Sequence, residues 1–338
     1  MISSPIFKDQ LQAPSRQEDL NYWADYIEIL CWTELEGKLS VDAVLDRWLD
    51  AKNLRINSTE IDGEHDHSES TYFNGSTTSP DYDRIQNYVE SVFEFLMSRQ
   101  TLFEKKYPFE VTQDSISLLD EISAPQNLYL CLLLSSNLYL VDNYKKQITS
   151  GFEDLGVKFL RNILSEGFKV HYFGKGSEIE NPFPKDLFER FEKLSSLLKI
   201  PLTFRVNREN VGVRNTGDNG LDIVAWFEFN NQQPGTMMFF VQCACGKDWF
   251  EKQADSHVFR WRNIFQFINP PINLVLIPRS YRNRNGNWHN LIKIDDSVII
   301  DRYRLLTSTI LNIERFVEPY QPFLQYVASA ENKRSYFD

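Results

Sequence analysis

The stretch FVQCACGKDW, residues 240–249, places a polar glutamine inside an otherwise apolar run of β-strand character. Side chains alternate between the two faces of a strand, so Gln242 and Ala244 share one face while Cys243 and Cys245 share the other. The two cysteines are therefore interpreted as small buried apolar residues that continue the apolar face. A zinc site is disfavoured because no CxxC or HxxxH pattern lies nearby to complete it.

A second stretch, GDNGLDIVAW at residues 217–226, precedes the first along the chain. Its GDNG segment is typical of a tight turn. Asp222 then opens an apolar strand, where an unpaired carboxylate is costly to bury. In one interpretation Asp222 only caps the turn and stays hydrated. In the other it pairs with Gln242 on a neighbouring strand, and the two oxygen-bearing side chains suit a hard divalent cation such as Mg²⁺.

The periodicity of the chain predicts its fold class. Helical and strand patterns alternate after about residue 150, which predicts an α/β fold with a mixed central sheet flanked by helices. The earlier residues show helical periodicity only, so we expect an all-helical N-terminal domain over residues 1–145 and an α/β domain over residues 146–338. Residues 55–80 are rich in Ser, Thr, Asn, Gly and acidic residues and are predicted to form a flexible loop.

Composition and charge narrow the class of protein. The net charge of −11 argues against a general nucleic-acid binder, yet residues 256–294 contain no Asp or Glu and carry several arginines and aromatic residues. No signal peptide is visible in MISSPIFKDQ, and the apolar run at residues 128–141 is shorter than the ~20 residues that a membrane span needs. Four cysteines do not suggest a disulfide framework. We therefore expect a cytoplasmic protein without a membrane segment.

One ordered set of features resembles a known family. A helix with an early Glu, a strand that opens with Asp after a Gly-rich turn, and a strand with Gln followed closely by Lys resemble the PD-(D/E)XK nuclease superfamily. The Gln in place of Glu and the turn GDNGLD are similar to those of its Mrr-type restriction enzymes. The resemblance covers about residues 150–300, under half of the chain, and implies a restriction endonuclease-like α/β domain.

The resemblance also implies a metal site. Asp222 matches the central metal-binding Asp, and Gln242 matches the acid-or-Gln position of the next strand. Glu153 matches the helical Glu, with Glu189 and Glu192 as rivals for that position. Asp222, Gln242 and Glu153 would together hold Mg²⁺ or Mn²⁺.

The lysine departs from the family pattern. The family places it two residues after the Gln, where this chain has Ala244, and the nearest lysine is Lys247. Three extended residues would put Lys247 ~10 Å along the strand, although Gly246 permits a turn that would bring the ammonium back. Either Lys247 replaces the motif lysine as a catalytic residue, or the site is inactive.

The implied activity is that of a Mg²⁺-dependent endonuclease that hydrolyses phosphodiester bonds in DNA, with a role in prokaryotic defence against phage or foreign DNA. Five arginines would bind the DNA backbone, mostly without regard to sequence: Arg260, Arg262, Arg279, Arg282 and Arg284. They could equally form a solvated surface. The helical N-terminal domain of such a nuclease could bind a protein partner or sensor subunit. A catalytically inactive nucleic-acid-binding module and a protein-interaction subunit remain as alternatives.

Overall fold

A computed structural model describes residues 2, 4–14, 19–56, 79–174, 181–212, 217–231, 233–308 and 313–335. The loop predicted at residues 55–80 lies almost entirely outside these ranges. No helix in them combines the length and the apolar composition that a membrane span requires.

Helices make up most of the N-terminal half and flank the sheets of the C-terminal half. The α-helices of the described ranges are α1 (Leu20–Thr33), α2 (Val41–Ile56), α3 (Ser79–Phe103), α4 (Ala124–Ser136), α5 (Lys145–Ile163), α6 (Leu187–Leu198), α7 (Arg208–Val211), α8 (Trp249–Lys252), α9 (Val258–Trp261), α10 (Arg302–Thr307), α11 (Glu314–Val317) and α12 (Gln321–Ala328).

A small antiparallel sheet lies within the N-terminal half. Its strands are β1 (Lys38–Ser40), β2 (Phe109–Val111) and β3 (Ser115–Leu118), in the order β1-β3-β2. The prediction of an all-helical N-terminal domain is therefore wrong. Strands of three or four residues are too short for alternation to stand out in a sequence window.

The central sheet has five strands and is mixed, which confirms the predicted fold class. The strands are β4 (Phe168–Tyr172), β5 (Ile223–Phe227), β6 (Met238–Cys243), β7 (Ile272–Leu276) and β8 (Val298–Ile300), in sequence order across the sheet. The β4–β5 and β5–β6 pairs are antiparallel, whereas the β6–β7 and β7–β8 pairs are parallel.

Alternate side chains of β6 enter different cores on the two faces of the sheet. Val241 packs in the larger core together with Phe152 of α5, whereas Phe240 packs in a second core with Phe191 of α6 and Trp261 of α9. The sheet is therefore sandwiched between helices, as expected for an α/β fold.

A glycine lets α5 approach the sheet closely. A Cβ at Gly156 would lie 3.0 Å from Cδ1 of Ile223 and 3.1 Å from both Sγ of Cys243 and Cδ2 of Leu276. Those distances are tighter than ordinary van der Waals contact, so a larger residue would need the helix or the sheet to shift.

The larger core crosses the predicted domain boundary. Ile27 of α1, Phe152 of α5 and Val241 of β6 belong to the same hydrophobic cluster. Residues 1–145 and residues 146–338 therefore share one continuous core.

A buried carboxylate holds these two parts of the chain together. Asp25 of α1 is fully buried and is ion-paired with Arg99 of α3 at 2.7 Å, with Arg279 after β7 at 2.9 Å and with Arg302 of α10 at 3.1 Å. Burial acts to raise the pKa of Asp25, but the three guanidinium groups outweigh it and hold that pKa well below its usual range.

A second buried carboxylate completes the network. Glu28, one turn along α1, lies 2.9 Å from Arg99 and accepts hydrogen bonds from the hydroxyls of Tyr107 at 2.8 Å and Tyr129 at 3.0 Å. Burial raises the pKa of Glu28 above its ordinary value. The network thus joins three arginines to two acidic side chains, with further hydrogen bonds from neutral hydroxyls.

The Asp25→Ala substitution should therefore destabilise the protein strongly, because it leaves three buried guanidinium groups short of a counter-charge. We expect a loss of about 3–5 kcal/mol in the free energy of unfolding, measured by urea denaturation. The control is Glu94→Ala, which removes the exposed partner of Arg284 and should cost about 0–1 kcal/mol. Equal losses in the two variants would show that the network does not hold the fold together.

Candidate active site at the start of strand β5

Asp222 and Gln242 stand opposite each other where β5 begins. The antiparallel register pairs Ile223 with Val241, so the next pair of positions is Asp222 and Gln242. The Asp222 N–H donates to the Val241 carbonyl at 3.1 Å, and the Cys243 N–H donates to Oδ2 of Asp222 at 2.6 Å. Asp222 is thus hydrogen-bonded to β6 on both sides of Gln242. Because side chains alternate along β6, Gln242 shares the sheet face of Phe240, which packs against α6 and α9, whereas α5 packs on the opposite face.

The Gln242 amide is buried and incompletely hydrogen-bonded. Its residue is only 8% exposed, and within the described ranges its Oε1 has no hydrogen-bond partner. Leaving a buried acceptor unsatisfied costs about 1–3 kcal/mol, so such an atom in a folded protein calls for a partner such as water or an ion. The Oε1 atom is therefore the strongest sign that this site accepts a ligand.

Glu153 of α5 lies close enough to Asp222 to raise its pKa, but α5 packs on the sheet face of Cys243, opposite the face of Gln242. Burial, with a further contribution from Asp218, raises the pKa of Glu153 to about 7. Of the rivals considered from the sequence, Glu189 is exposed and paired with Arg208 at 3.0 Å, and Glu192 is also exposed. Neither is buried beside Asp222.

Two further carboxylates lie at the site and were not singled out from the sequence. Oδ1 of Asp218 accepts from the Gly220 N–H at 2.8 Å, and Asp255 packs against Gly220 so closely that a Cβ there would lie 2.7 Å from its own Cβ. Gly220 also has a φ of +78°, which suits glycine. Asp218 lies within the GDNG turn and could have been noticed there, whereas nothing around Asp255 indicated a role.

The electrostatics of the site are those of crowded acids. Burial raises the pKa of Asp222 well above its usual range, and repulsion from Glu153, Asp218 and Asp255 raises it further, against the hydrogen bond from Cys243. A cation between these carboxylates would relieve the repulsion.

The donor set is small for a metal ion. The part of the chain that the structure describes has no group of three or more His, Cys, Asp or Glu side chains arranged to hold a metal. The site offers two carboxylates, Asp222 and Glu153, while the carboxamide of Gln242 lies on the sheet face opposite α5. That composition suits Mg²⁺, which is usually bound by one or two carboxylates and keeps several waters.

Lys247 extends toward the N-terminal half. Its ammonium lies 4.2 Å from the ring centroid of Tyr139 and 5.1 Å from that of Tyr22, and the Tyr22 hydroxyl donates to the Lys247 carbonyl at 3.4 Å. Both ring contacts are of the cation–π type. The catalytic role of Lys247 stays a prediction.

Two of the five candidate DNA-binding arginines are structural. Arg279 is buried against Asp25, and Arg282 binds Asp301 at 2.8 Å while stacking on Trp288. The surface position expected for Arg279 is wrong, because Asp25, far away along the chain, draws its guanidinium group into the interior, where it cannot contact a DNA backbone. Arg282 keeps only 12% of its side chain exposed.

The other three arginines remain at the surface. Arg284 is paired with Glu94 at 2.7 Å, and Arg260 is paired with Asp255 at the rim of the site. Arg262 is exposed, with its guanidinium 5.9 Å from the ring centroid of Phe259.

Comparisons of the chain with protein-family models, curated proteins and solved structures found no match. The nuclease activity and the restriction endonuclease-like fold implied by the sequence resemblance therefore have no support from a relative. The geometry and electrostatics around Asp222 are the observations that bear on function.

The raised pKa of Glu153 predicts a pH-dependent stability. Between the ordinary value of 4.5 and about 7 the folded protein holds a proton that the unfolded chain releases, so the free energy of unfolding falls as pH rises through that range. Glu153→Gln should therefore be more stable than wild type at pH 8, by at most about 3 kcal/mol, and lose that advantage near pH 5.

Urea denaturation at both pH values measures this difference. The matched control is Asp154→Asn, the adjacent carboxylate, which is paired with Lys158 at 2.7 Å and should bring no gain at pH 8. An advantage of the same size at pH 5 and pH 8 would contradict the raised pKa.

Proposed function

We propose that this protein is a metal-dependent endonuclease that hydrolyses phosphodiester bonds in DNA. The observation that carries the proposal is the buried Asp222 carboxylate, hydrogen-bonded to the Cys243 N–H and surrounded by Glu153, Asp218 and Asp255. Carboxylate oxygens in this arrangement suit a hard divalent cation.

The chemistry of these residues fits Mg²⁺ or Mn²⁺ as the cofactor. Asp222 would bind the ion and Glu153 would hold its water shell, whereas Gln242, the third ligand implied by the resemblance, lies on the sheet face opposite α5. When bound, the ion would supply a water of lowered pKa and polarise a phosphoryl oxygen. The Cys243 N–H fixes Oδ2 of Asp222, and among the described residues Oδ1 accepts no hydrogen bond. The peptide N–H therefore orients the carboxylate and leaves Oδ1 for a ligand.

Glu153 is suited to handle the proton of the attacking water. A general base works best when its pKa lies near the working pH, and burial brings the pKa of Glu153 to about 7. We propose that the Glu153 carboxylate accepts the water proton as the phosphodiester is attacked. Activity should then rise as pH increases through about 7, where Glu153 loses its proton.

The order of elements supports a restriction endonuclease-like fold. Helix α5, strand β5 with Asp222 at its start, strand β6 with Gln242, the short helices α8 and α9, and parallel strand β7 follow one another along the chain. This is the order that the family resemblance implies. From the same resemblance we propose a cytoplasmic role in prokaryotic defence against foreign DNA.

Plasmid cleavage in Mg²⁺ or Mn²⁺ tests the site. Asp222→Asn keeps an acceptor for the Cys243 N–H but removes the charge, and we expect it to lower the cleavage rate by at least about 10²-fold. The control is Glu228→Gln, an exposed carboxylate beyond the far end of β5 that pairs with Lys169, and it should cleave normally. An unchanged rate in Asp222→Asn, or a wild type that cleaves no DNA, would refute the proposal.

Lys247→Met tests the proposed role of this lysine in orienting the hydroxide and offsetting phosphate charge. We expect a rate lowered by about 10²-fold, with the Mg²⁺-dependent rise in melting temperature retained. Lys252→Met, on a lysine paired with Asp255 at 3.7 Å, is the control. A normal cleavage rate combined with lowered stability would show that Lys247 has only a structural role, through its contacts with Tyr22 and Tyr139.

A further inference from the structure

Two phenylalanines with exposed rings lie near the candidate site. Phe204 is 90% exposed and Phe259 is 71% exposed. Single exposed apolar residues need no explanation, but two exposed aromatic side chains on neighbouring segments that also carry arginines are typical of a binding surface. We call Phe204, Arg205, Phe259, Arg260 and Arg262 the aromatic–arginine surface.

Asn263 connects the two halves of this surface. The Thr203 hydroxyl donates to the Asn263 carbonyl at 2.6 Å, and the Arg205 guanidinium donates to its side-chain oxygen at 3.5 Å. The Asn263 side chain in turn donates to the Phe259 carbonyl at 3.3 Å. The strip with Phe204 and the helix with Phe259 are therefore held side by side.

Positive charge accompanies each ring. The Arg205 guanidinium lies 5.7 Å from the ring centroid of Phe204, and that of Arg262 lies 5.9 Å from the ring centroid of Phe259. Neither arginine is ion-paired with a described residue. The nearby acids are engaged elsewhere, with Asp296 against His257 at 3.0 Å and Glu189 against Arg208 at 3.0 Å.

The surface is continuous with the rim of the candidate active site. Arg260 is paired with Asp255 and donates to the side-chain oxygen of Asn219 at 3.2 Å. Asn219 belongs to the turn that leads into Asp222. A ligand lying across the two rings would therefore extend toward Asp222 and Gln242.

We propose that the aromatic–arginine surface binds single-stranded DNA, with bases stacked on Phe204 and Phe259 and phosphates bound by Arg205 and Arg262. Unpaired bases expose the faces that aromatic side chains need, whereas a duplex keeps those faces stacked internally. That the bound strand is also the strand to be cut rests on the proposed nuclease function. The proposal that this surface binds single-stranded DNA does not depend on the nuclease function.

Fluorescence anisotropy with a labelled oligo(dT) and a labelled duplex, in EDTA, tests the binding apart from cleavage. We expect the double variant Phe204→Ala/Phe259→Ala to weaken oligo(dT) binding by at least about tenfold and to leave duplex binding unchanged. The control is Phe229→Ala, which removes a 55% exposed phenylalanine beyond the end of β5 and should bind as wild type does.

The salt dependence of oligo(dT) binding tests the role of the arginines separately. Arg205→Gln/Arg262→Gln should reduce the slope of log affinity against log salt for oligo(dT) by about one to two, since two phosphate contacts are lost. The four substituted side chains are exposed, so thermal unfolding should be the same as for wild type.

Several outcomes would overturn the proposal: unchanged oligo(dT) binding in the double phenylalanine variant, equal weakening for oligo(dT) and duplex, or no oligo(dT) binding by wild type. The last result would indicate a protein-docking surface. Oligo(dT) binding by a wild type that cleaves no DNA would uphold this inference and refute the nuclease proposal.

Discussion

The fold depends on the burial of Asp25 among three guanidinium groups. Arg99 comes from α3, whereas Arg279 and Arg302 follow the parallel strands β7 and β8. A buried charge without partners is so costly that these elements can pack only in the arrangement that pairs them. The N-terminal half is therefore part of the framework that fixes β7 next to β6, and β6 carries Gln242.

Burial at the candidate site changes the protonation of its carboxyl groups and does not stabilise the fold. Asp222 and Glu153 lie where desolvation and mutual repulsion favour their protonated forms, and Gln242 lacks a partner for its oxygen. Such unfavourable local arrangements are tolerated when the surrounding structure holds them and are frequent at functional sites.

Local pattern predicted helix α5 and strands β5 and β6, which put Asp222 and Gln242 at neighbouring positions of two strands. It could not predict which face of the sheet α5 covers, and α5 with Glu153 packs opposite the face of Gln242. The positions of Arg279 and Lys247 could not be predicted in this way, because their partners Asp25 and Tyr22 lie more than two hundred residues away along the chain. The short N-terminal strands were missed because three or four residues carry too little periodicity.

The close packing at Gly156 sets the distance between α5 and the sheet, and this distance affects the pKa values of Glu153 and Asp222. Glu153 lies three residues earlier on α5, so any side chain at Gly156 that pushed the helix away from Ile223 and Cys243 would also carry the Glu153 carboxyl away from Asp222. The proton affinities of both carboxyls would then relax toward those of isolated acids. The absence of a side chain at Gly156 thus affects the ionisation of Glu153 and Asp222, although Gly156 contacts neither carboxyl group.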